Sequence, residues 1–140
     1  MTDIYGINFS SKLGKLAPGS RNDARLRHHD NVTDLAVEGG GTSNPIIVAQ
    51  VREGQYVTGA SLASDADLSG RNYSLGTDAD PVKYAAAVAG PAANASVTFF
   101  IKVAARKAGA LTVPETIKLF PSGNMPASGN VYGSVTTSGR

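Results

Sequence analysis

The sequence predicts a mainly β protein: a small β-barrel or sandwich with an extended N-terminal arm and at most one short helix. Three observations lead there. Runs rich in β-branched and aromatic residues recur at 46–52, 96–104 and 131–137. Turn signals separate such runs at intervals of about eight to twelve residues, the spacing of sandwiches and barrels. Breakers are frequent, with 16 Gly and 7 Pro in 140 residues, so long helices have little room. The length suits one domain.

Taken in order, residues 1–45 read as an arm ending in a Gly-rich joint, and 46–140 as a β-rich core with a loose C-terminal tail. Within the arm, Ile4, Tyr5 and Ile7 are β-formers. Phe9, Leu13 and Leu16 have weak helical spacing, broken by Gly14 and Pro18. The joint is 39–45, Gly-Gly-Gly-Thr-Ser-Asn-Pro. Residues 46–52 and 55–62 flank Glu53-Gly54 and read as a hairpin, with Gly59 as a bulge. Tyr73-Ser74-Leu75 supplies a short strand inside a polar stretch. Asp80-Pro81 is a helix start and Gly90-Pro91 a stop, which predicts a helix between them. The same Ala-rich residues, 84–89, also fit a strand of small side chains. Residues 96–104 form the strongest strand. The run 110–120 follows, interrupted by Pro114-Glu115, which suggests an edge strand or bulge. A Ser-Gly-Asn loop then feeds a last strand at 131–137, and 138–140 should be loose.

Composition narrows the function. Cysteine is absent, which removes disulfides, thiolate nucleophiles and cysteine-ligated metals. Trp is absent, and four Phe plus five Tyr make an aromatic platform for sugars or bases improbable. A net charge of +2 is far from that of a nucleic-acid packager. No run reaches the 18 or so apolar residues of a membrane span, and the first residues have neither the basic nor the apolar region of a secretory signal. The expectation is synthesis in a host cytoplasm with no membrane partner.

Chemistry-bearing motifs are few. Asp65-Ala-Asp67-Leu-Ser69-Gly70 matches the opening of a calcium loop, but the closing carboxylate position is Gly76 and the seventh is Arg71. An acidic turn is the simpler reading. His28 and His29 are adjacent, would face opposite sides of a strand, and are the only histidines, so neither metal ligation nor a catalytic base is expected of them. No enzyme activity, cofactor or metal is expected. The arm does carry partner-binding candidates: the apolar anchors Tyr5, Ile7, Phe9, Leu13 and Leu16, and the basic Lys12, Lys15, Arg21, Arg25 and Arg27. Asp3, Asp23 and Asp30 interrupt the basic series, which favours a protein surface over nucleic acid.

With its hairpin at 46–62, Ala-rich middle at 83–89, strand at 97–103 and leading arm, the sequence resembles, in pattern, the decoration or cement proteins of tailed-bacteriophage heads. That resemblance implies a β-rich, usually trimeric core seated where major capsid subunits meet, an arm reaching across neighbours, and a location in the virion. The alternatives are a shell-forming viral coat protein, a tail-tube or connector subunit, and, in another class, a cellular β-rich binding module.

Overall fold

A computed structural model describes residues 9–10, 15–16, 27–38 and 40–139. Ten strands and two short helices follow in order: β1 (Phe9–Ser10), β2 (Lys15–Leu16), β3 (Arg27–Asp34), α1 (Leu35–Glu38), β4 (Ile46–Val51), β5 (Gln55–Ser64), β6 (Asn72–Gly76), β7 (Ala85–Ala89), β8 (Ser96–Phe99), α2 (Val103–Ala108), β9 (Glu115–Pro121) and β10 (Asn130–Gly139). Two four-stranded antiparallel sheets face each other, in orders β3-β10-β5-β8 and β4-β9-β6-β7, and β1 pairs with β2. The fold is a sandwich rather than a closed barrel.

Alternation builds the core. Along β10, Val131, Gly133, Val135 and Thr137 point inward, and Tyr132, Ser134, Thr136 and Ser138 point outward. On β5, Val57, Ala60, Leu62 and Ser64 are inward. The step from Val57 to Ala60 breaks strict alternation, and the register against β10 shifts there, at the bulge that Gly59 predicts. These residues meet Val48 and Val51 of β4, Ile117 and Leu119 of β9, and Tyr73 and Leu75 of β6 in one continuous apolar cluster. Twenty hydrophobic residues are buried among those described, enough to make burial the main stabilising term.

The structure differs from the sequence expectation in several places, each for a physical reason. Residues 27–38, placed in the arm, belong to the sandwich: β3 pairs with β10 over eight residues from Arg27↔Thr137 to Asn130↔Asp34. The joint is anchored, because Gly41 N–H donates to Pro126 O (3.1 Å) and Met125 N–H to Thr42 O (2.9 Å). The expected hairpin is not one. β4 and β5 lie in opposite sheets, so Glu53-Gly54 is where the chain crosses the sandwich. Leu111 holds that corner, accepting from Gly54 N–H and donating to Gln55 O, both at 2.8 Å.

Residues 81–89 contain strand β7, not a helix. The Asp80 carboxylate accepts from Val82 N–H (3.1 Å) and Lys83 N–H reaches Asp80 O (3.1 Å), so the cap signals close a turn instead. Tyr84 N–H then donates to Leu75 O (3.0 Å), which draws the chain onto β6 as an edge strand. Helix α2 takes the end of the run read as a strand. Ala104, Ala105 and Ala108 with Arg106 and Lys107 are good helix formers, and Gly109 (φ +71°) ends it. β9 is a central strand, since Pro114 stands just before it and removes no ladder bond. Residues 138 and 139 are not loose, because Ser138 and Gly139 pair with Tyr56 and Gln55, while Arg140 lies outside the described residues.

Candidate interaction surfaces

Of the ten arm residues expected to bind a partner, Tyr5, Ile7, Lys12, Leu13, Arg21 and Arg25 lie outside the described residues. Phe9 and Leu16 are directly paired across β1 and β2, and Lys15 pairs with Ser10. Arg27 is exposed at the start of β3. The two histidines face opposite sides as expected. His28 Nδ1 lies 3.3 Å from Thr136 Oγ1 outside the sheet, and His29 Nε2 lies 3.3 Å from Thr137 Oγ1 toward the interior. Thr137 Oγ1 donates onward to Gln55 Oε1 (3.4 Å), while the amide nitrogen of Gln55, a residue 1% exposed, has no partner among the described residues.

The acidic loop does local work. Asp67 accepts from Ser69 N–H (2.9 Å), an Asx-turn whose hydrogen bonds hold its carboxyl below the usual carboxylate range, helped by Arg71. Asp65 accepts from Asn130 N–H (2.7 Å) and so ties the 65–70 loop to the start of β10.

A polar cluster that sequence reasoning missed sits at the base of a cavity of about 210 Å³, framed by α2, Leu111, Val113, Tyr56 and Lys83. The Glu115 carboxylate accepts from both Lys83 Nζ and Tyr84 Oη. Burial pushes the Tyr84 hydroxyl well above its ordinary range, and the adjoining Glu115 carboxylate adds to that shift. In the sequence, Pro114-Glu115 reads only as an interruption of a strand. Its role becomes visible once β9 and the 81–84 turn are adjacent. All three members satisfy one another, so the cluster is a structural pin.

Two sides of the sandwich remain. On one, β3 and β4 are neighbouring sheet edges, bridged where Asn31 Nδ2 donates to Ile47 O (3.0 Å). A groove of about 330 Å³ runs beside that bridge, lined by Val32, Leu35, Glu38, Pro45, Ile47 and Met125. On the opposite side are the edges β7 and β8, joined beyond their ends by Lys102 N–H donating to Tyr84 O (2.8 Å). There Phe100 stands 87% exposed, more than any other large apolar side chain among the described residues. Val82, Val103 and Val113 are also exposed on the segments around the cavity.

No family model matches the chain, and no curated protein is significantly similar to it. Two solved structures contain a chain of like fold. A chain of the cyanophage Pam1 capsid asymmetric unit is 19% identical with a TM-score of 0.58, over 96% of this chain and 100% of that one. A chain of the Ralstonia phage GP4 capsid is 12% identical with a TM-score of 0.56, over 90% and 92%. At these identities the shared property is the fold.

Proposed function

We propose that this chain is a non-enzymatic structural protein of a bacteriophage virion, a decoration or cement protein that binds the assembled capsid lattice and stabilises it. Its partners in this reading are the major capsid protein or other virion subunits and further copies of itself, a trimer before other orders. The observation that supports the reading is the match, over 96% of this chain and 100% of that one, to a chain of a phage capsid asymmetric unit. Charge supports a protein partner. Residues 27–139 hold eight basic and nine acidic side chains, and the basic excess of the chain lies mainly before residue 27, at Lys12, Lys15, Arg21 and Arg25. A near-neutral sandwich offers phosphates little, while its exposed apolar side chains suit a protein lattice.

The test is addition of the purified chain to phage shells that lack it, followed by cryo-microscopy and by thermal melting of the shell. The expected outcome is ordered density on the outer surface and a raised melting temperature. Closed shells formed by this chain alone, or binding to DNA with a log–log salt slope steeper than about −5, would instead make it a coat protein that faces the genome.

A further inference from the structure

We propose that copies of this chain associate head to tail, with the Phe100 side of one sandwich seated in the β3/β4 groove of the next. The inference deepens the homo-oligomer part of the reading above but does not need a shell. It rests on the complementarity of two opposite sides of one molecule.

Charge comes first. From residue 28 to residue 51 the chain carries Asp30, Asp34 and Glu38 and no Lys or Arg. From 81 to 114 it carries Lys83, Lys102, Arg106 and Lys107 and no Asp or Glu. Lys83 is held by Glu115. The other three cations and the three carboxylates make no ion pair among the described residues, whose salt bridges are Lys83–Glu115 and Lys118–Asp78. Asp30, Asp34 and Glu38 are exposed, as are Arg106 and Lys107. Topology then puts the two sets apart. The acidic set lies on β3 and α1, beside the edge formed with β4 and with Arg27 at the opposite end of β3, and the basic set lies on or next to α2, beyond the β8 edge.

Shape and apolar surface agree with this pairing. The acidic side has the groove of about 330 Å³, with Val32, Val37 and Ile47 exposed at or near it. The basic side has a protruding Phe100 flanked by Val103, 67% exposed. A single aromatic ring seated in a groove and ringed by charged pairs is the arrangement of an interface hot spot. Self-pairing of either side would set like charges together, which disfavours a two-fold contact through one patch. The remaining contact joins unlike surfaces, and such contacts close into rings when the rotation between copies allows it.

The experiment is sedimentation velocity of the full chain from about 1 to about 100 µM, at about 0.05 M and about 0.5 M salt. Wild type is expected to self-associate and to weaken in high salt. Lys102→Glu/Lys107→Glu and Asp30→Lys/Glu38→Lys should each weaken association by about tenfold or more, and the variant carrying all four changes should regain it. Phe100→Ser, at an exposed position, should weaken it as strongly with unchanged circular dichroism. A wild type that stays monomeric throughout, reversals that associate like wild type, or a four-fold variant no better than its parents would each overturn the contact. Addition to shells, measured separately, would then still stand or fall on its own.

Discussion

Gly133 shows how closely the two sheets approach. It faces inward from the middle of β10, and a Cβ built there would lie 2.6 Å from Val48 Cγ1 on the facing sheet. The gap between sheets at this point is the width of a missing side chain. Gly133→Val is therefore expected to lower the unfolding free energy by about 1–3 kcal/mol through overpacking, measured by urea denaturation, with the β signal retained. Tyr84 gives a second expectation. Its folded hydroxyl holds its proton above the ordinary value of 10.0, while the unfolded chain releases it there. Above that pH the native state binds more protons than the unfolded state, so stability falls as pH rises. Wild type should lose stability steeply above pH 10.0, and Tyr84→Phe should lose much of that steepness in alkaline melting curves.

At the scale of elements, the sequence carried which residues are strands better than which strands are partners. Alternation at 131–137, the bulge at Gly59 and the short strand at Tyr73 were all legible, because each depends on local side-chain period or backbone freedom. The corner at Glu53-Gly54 was not. A hairpin turn and a crossing between sheets use the same residues there, and the difference lies in Leu111, more than fifty residues on. Residues 81–89 failed for a related reason: alanine fits either state, and the decision falls to Leu75 and the edge of β6. Neither exposed side could be read from the chain, since each is assembled from distant segments. The start of the sandwich at Arg27 also sharpens an expectation about the leading segment. Removal of residues 1–26 should leave the sheet circular dichroism intact, because β3 retains all eight of its pairs to β10. The same deletion should reduce binding to shells if the anchors Tyr5 and Ile7 grip the lattice, and a pull-down with empty shells reads that loss directly.

For the whole molecule, the sandwich stays close to neutral, while two stretches at its opposite edges carry unlike charge, acidic over 28–51 and basic over 81–114. In the head-to-tail contact proposed above, that difference would give each copy a direction. The position of β10 adds a constraint of another kind. It lies between β3 and β5, so the two are neighbours only through it. Among the described strands it comes last in the chain. Until residues 130–139 emerge, β3 lacks its ladder to β10 and one flank of β5 stays bare, so this sheet is completed only after they appear, through contacts of long sequence separation that form slowly. A nascent chain halted before that point would present two raw β edges to the sibling chains emerging beside it.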